Sequence, residues 1–89
     1  MMSSDKQIDS EIHLRRLTLD EALPKLDEYL DRAFMAGISN IRIVHGKGTG
    51  MLRQAVRQYL SKHPLVKSFR PGVYGEGGNG VTMVELVYR

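Results

Sequence analysis

A short glycine-rich segment, residues 45–50, combines residue types that could hold a phosphate group. It reads His45-Gly46-Lys47-Gly48-Thr49-Gly50 and lies between a short apolar run and an amphipathic helical pattern. Alternate glycines let the backbone turn with positive φ and come close to a ligand. The first amides of the following helix favour an anion, and Lys47 adds a full positive charge. The spacing therefore predicts a phosphate-binding loop between a strand and a helix; the alternative is a connection that only turns the chain.

This loop does not match the two common phosphate-binding fingerprints. A Walker A loop needs Gly, four residues and then Gly-Lys-Ser/Thr, and the dinucleotide fingerprint would place its third glycine at Met51. His45 directly precedes the glycines, where an imidazole could act as a general acid or base near neutral pH. Because single histidines more often have a structural role, both interpretations of His45 stay open here.

Charge is unevenly distributed along the 89 residues. Residues 1–40 carry eight acidic and five basic side chains, a net charge of −3, and residues 71–89 carry −1. Residues 41–70 carry seven basic side chains and no acidic one, so this block has +7 within a total of +3. Such a block predicts a surface that faces a polyanion, with a merely solvated face as the alternative.

The elements that must position the loop can be predicted from apolar periodicity and from helix start and stop signals. In order, they are a strand at 12–15, a helix between a capping box at Thr18 and a stop at Gly37, a strand at 40–45, a helix between Gly50 and Pro64, and strands at 66–70 and 81–88. Right-handed crossovers place both helices on one face of the sheet. The sequence therefore predicts an α/β (α+β) two-layer sandwich of order βαβαββ, with a mixed four-stranded sheet, an antiparallel closing hairpin and one uncovered sheet face.

Side-chain alternation predicts which strand residues face the helices. Ile12 and Leu14 should face them, which turns His13 and Arg15 to the uncovered face. On the second predicted strand, His45 shares the helix-facing side. His13 and His45 are therefore not expected to form a pair of imidazoles at one site.

Composition sets further bounds. The chain has no cysteine, which excludes disulfides, a thiolate nucleophile and a Cys-based zinc site, and fits a cytoplasmic protein. No apolar run has the ~18 residues that a membrane span needs, so no membrane partner is expected. Residues 1–10 are polar and predict a flexible tail, and residues 11–89 predict one domain. Five of the nine glycines fall within 71–80, which predicts a mobile loop.

Several stretches together resemble the Smr (small MutS-related) domain, in the form found at the C-terminus of the second bacterial MutS paralogue. They are Ile12-His13-Leu14-Arg15, Thr18-Leu19-Asp20-Glu21-Ala22, the loop 45–50, His63-Pro64-Leu65-Val66-Lys67-Ser68-Phe69 and Gly80-Val81-Thr82-Met83-Val84-Glu85-Leu86. The resemblance covers about residues 11–88. It implies a fold like the C-terminal domain of the third translation initiation factor. It also implies nucleic-acid binding and endonuclease or nicking activity, chiefly on DNA, linked to recombination or repair.

The resemblance and the residues together nominate a site. His45 is the candidate acid or base, and Lys47 the clamp for the reacting phosphate. The predicted nucleic-acid contacts are Arg15, Arg16, Gly46, Lys47, Gly48, Thr49, Gly50, Arg53 and Arg57. The family's first strand usually reads Leu-Asp-Leu-Arg-Gly, but here His13 stands at the Asp position and Arg16 at the Gly position. The family's Asp is often assigned a part in cleavage, so the resemblance leaves enzymatic activity open.

Two other classes of function stay open. One is a non-catalytic module that binds branched DNA, RNA or the ribosome. The other is a protein-interaction domain that uses the uncovered sheet face around His13, Arg42 and Val44. No metal site or cofactor is predicted within this chain; a divalent metal stays open, and ATP is implied only if the chain is part of a longer protein. DNA or RNA is the expected partner, and self-association is left open.

Overall fold

Two helices pack on one side of a four-stranded mixed sheet in the computed structural model, which describes residues 8–88. The elements are β1 (Glu11–His13), α1 (Leu19–Met35), β2 (Asn40–Val44), α2 (Met51–Ser61), β3 (Val66–Pro71) and β4 (Val81–Leu86), with a 3-10 turn at Gly78–Gly80 before β4. The sheet order is β1-β2-β4-β3; β1 is parallel to β2, and β4 is antiparallel to both of its neighbours. The predicted α/β (α+β) two-layer sandwich of order βαβαββ is confirmed, including the closing hairpin.

The core lies between the helices and one face of the sheet. Its buried members from the strand layer are Ile12, Leu14, Ile41, Ile43, Val84 and Leu86, and those from the helices are Ala22, Leu26, Tyr29, Leu30, Ala33, Val56 and Leu60. Each helix contributes a stripe at helical spacing, as its apolar pattern predicts. Burial of these side chains fixes the register of the sheet, because a one-residue slip would turn every strand residue to the other face.

Helix α1 begins at the predicted capping box. The Glu21 N–H donates to Thr18 Oγ1 at 3.2 Å, and the Thr18 N–H donates to Glu21 Oε1 at 3.0 Å. The helix then continues through Pro24, which removes one backbone donor from its second turn. It ends before Gly37, whose φ of +80° is the left-handed conformation that glycine adopts most readily.

The predicted alternation of side chains is confirmed in β1 and after β2. Ile12 and Leu14 are buried, whereas the side chain of His13 is 65% exposed and lies 3.6 Å from Glu11. His45 directly follows β2 and is buried on the helix side. The two imidazoles therefore lie on opposite faces of the sheet and form no pair.

The first described residues, 8–10, contact the rest of the domain. Ile8 packs against the core, the Tyr29 hydroxyl donates to the carbonyl of Asp9, and the Arg42 N–H donates to the carbonyl of Ser10 at 2.8 Å. Ser10 thus extends the backbone pairing of β1 along β2, and the flexibility predicted for residues 1–10 stays a prediction. Residues 1–7 of the predicted tail lie outside the described residues.

Glu76 organises the glycine-rich segment between β3 and β4. Its carboxylate accepts from Arg70 Nη1 and Nη2 at 2.8 and 2.9 Å and from the Val73 N–H at 2.9 Å. Its carbonyl accepts from Arg42 Nη1 at 3.2 Å. The hydrogen bonds from Arg70 and from the Val73 amide lower the pKa of Glu76 to about 2. This network ties the segment to the uncovered sheet face, and the mobility expected from its glycines stays a prediction.

Candidate functional site

The loop 45–50 leaves the sheet at the end of β2 and leads directly into α2. The N–H groups of His45 and Gly46 both donate to the carbonyl of Gly80, at 3.0 and 2.9 Å, so the base of the loop is fixed to the start of β4. Gly46, Gly48 and Gly50 have φ of +81°, +32° and +86°, values that side chains rarely adopt. The predicted need for glycine at these three positions is thus a backbone requirement.

A cavity of about 190 Å³ lies on the helix side of the loop and brings most of the predicted site residues together. It is lined by Arg16, Leu17, His45, Gly46, Lys47, Gly48, Thr49, Gly50, Leu52 and Arg53. The lining includes three cationic side chains and no carboxylate. Such a lining suits a phosphate group, because no acidic side chain competes for the cations.

Backbone donors add to this positive surface. Gly50 directly precedes α2 and provides no side-chain cap for its first turn. The Thr49 hydroxyl accepts only the Met51 N–H, at 3.3 Å. Later amides of the first turn are therefore available to an anion at the helix start. The Arg53 guanidinium lies above Gly50; a Cβ built at Gly50 would fall 2.9 Å from Arg53 Nη2. Glycine at position 50 thus lets this arginine lie against the loop.

Arg15 approaches the same loop from its other side. A Cβ at Gly46 would lie 3.3 Å from Arg15 Cγ and Nε, so this arginine lies directly against the loop backbone. Arg15 and Lys47 line a second cleft of about 390 Å³, together with Val44, Gly46, Gly48, Gly77, Gly80 and Val81. The loop therefore separates a small cationic cavity from a larger cleft on the uncovered face, and cations lie at both.

His45 is held in the neutral state by its burial and by the charges of nearby arginines. Only 5% of the residue is exposed; Nδ1 lies 2.9 Å from the Gly46 carbonyl and Nε2 lies 2.8 Å from Thr82 Oγ1. A carbonyl only accepts, so Nδ1 carries the proton and Nε2 accepts from the Thr82 hydroxyl. Burial lowers the pKa of His45, and the charges of Arg57 and Arg53 lower it further against the opposing Gly46 bond.

Arg57 lies apart from the other basic residues of the predicted site. Its half-buried guanidinium points inward, and Nε donates to Thr82 Oγ1 at 3.4 Å. Its Nη2 is buried and has no hydrogen-bond partner among the described residues. Arg57 lines neither cavity at the loop and is a neighbour of Thr82 and His45, so its contact with a polyanion stays a prediction.

Sequence reasoning missed Thr82 and Gly80 as parts of this site. Both contacts are made across the sheet, from β4 to residues 45–46, so no spacing along the chain indicates them. Thr82 is fully buried within an otherwise apolar strand face. A buried hydroxyl at a helix-facing strand position is the signal that could have pointed to a polar partner.

Arg16 combines a basic side chain with a backbone conformation that suits glycine. It lies in the turn after β1, where the Leu17 N–H donates to the Leu14 carbonyl at 3.2 Å, and its φ is +69°. It is the one described residue other than glycine with positive φ. Such a φ costs a residue with a side chain about 1–2 kcal/mol. The backbone at Arg16 is therefore strained, and its side chain adds a cation to the cavity beside the loop.

Arg16→Gly is expected to move stability and binding in opposite directions. The unfolding free energy should rise by about 0.5–1 kcal/mol, because relief of the strain exceeds the extra entropy of an unfolded glycine. The salt dependence of nucleic-acid binding should weaken by about one unit of slope, because one phosphate contact is lost. Urea unfolding and titrations at several salt concentrations measure the two effects. Arg16→Lys is the matched control and should change neither; a destabilised Arg16→Gly protein would contradict the strain argument.

Comparison with known proteins places this fold and loop in one family. The family model described as the Smr domain matches residues 12–87. The chain therefore belongs to the Smr domain family.

Relatives and solved structures agree with this assignment. A protein named endonuclease MutS2 from Caldicellulosiruptor saccharolyticus is 55% identical over 82 residues, which cover 92% of this chain and 10% of the relative. The crystal structure of the Smr domain of Thermus thermophilus MutS2 superimposes with a TM-score of 0.84 at 49% identity, over 86% of this chain and 96% of that one. YdaL, a stand-alone small MutS-related protein from Escherichia coli, shares the fold with a TM-score of 0.82 at 24% identity, over 86% of this chain and 63% of YdaL. The chain spans about a tenth of the length of the MutS2 relatives.

Residues 8–88 offer neither a metal site nor a membrane-spanning helix. No group of three or more His, Cys, Asp or Glu side chains among them could hold a metal ion. None of the helices formed by these residues is long and apolar enough to cross a membrane. A larger cavity of about 580 Å³ lies against the end of α1, at the end of the sheet opposite the loop, and its lining is mostly apolar.

Proposed function

We propose that this domain binds nucleic acid through the cationic side of the loop 45–50 and nicks a phosphodiester bond of DNA. The observation that carries the proposal is the cavity at the start of α2, where Arg16, Lys47 and Arg53 surround a glycine backbone without any carboxylate. Membership of the Smr family and the name endonuclease of its MutS2 relatives support it.

Each side chain has a part in the proposed reaction. Lys47, Arg16 and Arg53 hold the phosphate and the charge that develops on its oxygens. Hydrolysis adds water across the P–O bond: the water oxygen bonds to phosphorus and gives up a proton, and the leaving oxygen takes one. His45, neutral and next to the loop, is the proposed group for that proton transfer, and its bond to Thr82 must open for Nε2 to take part.

A second candidate function is non-catalytic binding of branched DNA, RNA or the ribosome. The observation that favours it is the occupation of both ring nitrogens of His45 by Gly46 and Thr82. His13, at the position where the family usually has Asp, also lies exposed on the opposite sheet face. In this case the loop would hold a phosphate without reacting with it.

The decisive experiment measures binding and nicking with the same variants. We expect slow nicking of supercoiled plasmid by the wild type, with and without a chelator of divalent metals. Lys47→Ala should weaken both affinity and nicking, because the ammonium acts on bound and reacting phosphate alike. Lys67→Ala is the matched control. Lys67 lies on β3, its Nζ is 3.6 Å from Glu85 Oε2, and it lines neither loop cavity, so both activities should persist.

The outcomes separate the candidate functions. Salt-sensitive binding without nicking, in a preparation that stays folded, would favour the non-catalytic module. Absence of binding at low salt would contradict both candidates and leave a protein-interaction role for the uncovered sheet face. Equal effects of Lys47→Ala and Lys67→Ala would remove the loop from the binding surface.

A further inference from the structure

Tyr74 is a fully exposed aromatic residue in the turn between β3 and β4. Its relative exposure is 102%, and that of the neighbouring Val73 is 57%. An isolated exposed apolar residue is ordinary, but a tyrosine ring with essentially no packing leaves a large apolar area in water. Both faces of this ring are therefore open to a ligand.

The turn that carries Tyr74 is held in place by the contacts of Glu76. The carboxylate binds Arg70 through two hydrogen bonds and also accepts the Val73 N–H, and the carbonyl binds Arg42. Two backbone bonds close the turn, since the N–H groups of Glu76 and Gly78 both donate to the Val73 carbonyl, at 2.9 and 3.2 Å. The exposed ring thus projects from an anchored turn, which lowers the entropy cost of using it for binding.

This turn lies at the same end of the sheet as the loop 45–50. The Gly72 N–H donates to the Val81 carbonyl, and Val81 pairs with Val44 at the end of β2. Gly77 and Gly80 form one wall of the 390 Å³ cleft, and Gly46 and Gly48 form another. Arg15 and Lys47 supply two cations to that cleft, and no acidic side chain lines it.

We propose that Tyr74 and this cleft form a site for one unpaired nucleotide, with its base against the Tyr74 ring and its phosphate on Arg15 and Lys47. A nucleotide combines a flat base with a charged phosphate a short distance away. The exposed ring and the two cations offer matching partners, because Gly77 of the turn that carries Tyr74 lines the cleft with Arg15 and Lys47. Inside a duplex, both faces of each base are already stacked on neighbours, so the ring is open to an unstacked nucleotide and closed to the bases of the duplex interior. The inference rests on the proposed function and adds its substrate class: a single-stranded segment of DNA or RNA beside the phosphate held by the loop.

Binding of matched oligonucleotides by tyrosine variants tests the assignment. The probes are a single-stranded DNA containing 2-aminopurine, the RNA of the same sequence, and the flush duplex of the DNA. Tyr74→Ala should lose about 5- to 150-fold in affinity for the single strands and keep its affinity for the duplex, because stacking of one base on an aromatic side chain contributes about that factor. Tyr74→Phe should restore the loss, since the ring face remains. The 2-aminopurine emission should change on binding to the wild type and much less on binding to Tyr74→Ala.

Tyr88→Ala is the matched control for a lost surface tyrosine. Tyr88 is 75% exposed and follows β4 at the end of the sheet opposite the loop, so the variant should bind every probe as the wild type does. An equal loss for single strand and duplex, or no loss at all in Tyr74→Ala, would overturn the nucleotide site. If the nucleotide site is overturned but the wild type binds the duplex with the expected salt dependence, the proposed function still stands. If the wild type does not bind the duplex, that result counts against the proposed function itself. A larger loss with RNA or with DNA would show which strand the site prefers.

Discussion

Replacing His45 by alanine is expected to lower the nicking rate by about 10²–10⁴-fold while affinity for nucleic acid changes by only a few fold. The rate should fall because general acid–base catalysis contributes about that factor. Affinity should persist because the imidazole is neutral and only 5% exposed, so it adds little attraction for phosphates. Initial nicking rates on supercoiled plasmid and anisotropy titrations with a short duplex measure the two quantities. Unchanged nicking by His45→Ala would eliminate His45 from the mechanism.

His45→Asn distinguishes proton transfer from positioning of the loop. An asparagine amide can donate to the Gly46 carbonyl as Nδ1–H does, but it does not exchange protons near neutral pH. If His45 transfers a proton, His45→Asn should be as slow as His45→Ala. If the imidazole only holds Gly46, His45→Asn should retain most of the activity. Both variants lose the bond from His45 to Thr82, whose hydroxyl still accepts from Arg57 Nε, so the comparison isolates the bond to Gly46.

The pH profile of nicking provides a second test of the same role. Burial and the nearby charges of Arg57 and Arg53 lower the pKa of His45 below its usual value near 6.5. A base acts in its neutral form, which persists until the pH falls through this lowered pKa. The acid limb of the wild-type profile should therefore lie below pH 6.5, and an acid limb above pH 6.5 would contradict the assignment of His45 as the base.

The fold was predictable because local patterns and tertiary packing agree in this chain. The capping box at Thr18 and the stop at Gly37 define α1, and alternation in β1 assigns Ile12 and His13 to opposite faces. Alternation likewise places His45 on the buried side. These features depend on residues that are neighbours in sequence, or on a period of two or 3.6 residues, and burial follows the same periods.

The parts of the site that escaped prediction depend on contacts between distant segments. Arg57 shares the polar side of α2 with Arg53, but Thr82 on β4 draws its guanidinium inward. The segment 71–80 looks mobile from its glycines, yet Arg70 and Arg42 anchor Glu76. Helical periodicity predicts only which side of a helix a residue occupies, and glycine content reports only local backbone freedom. Neither pattern indicates a contact between distant residues, such as Arg57 with Thr82 or Arg42 with Glu76.

Affinity for duplex DNA is expected to fall by about 150-fold when the salt concentration rises from about 50 to about 200 mM. Four cations lie at the loop: Arg15, Arg16, Lys47 and Arg53. Release of counterions from about four phosphates gives a slope of about −3.6 for log affinity against log salt, and a roughly fourfold rise in salt then yields that factor. Equilibrium titrations at four or more salt concentrations measure the slope. A flat response would contradict nucleic-acid binding through this surface.

Two arginines on the same helix make this prediction specific to the structure. Arg53→Ala should reduce the magnitude of the slope by about one, because Arg53 lies against Gly50 at the loop and is a proposed phosphate contact. Arg57→Ala should leave the slope nearly unchanged, because its guanidinium is half-buried against Thr82 and lines neither loop cavity. The two variants remove the same charge one helical turn apart, so long-range attraction changes similarly in both. Equal losses of slope would therefore mean that Arg57 turns outward to the nucleic acid, as the helical pattern alone predicts.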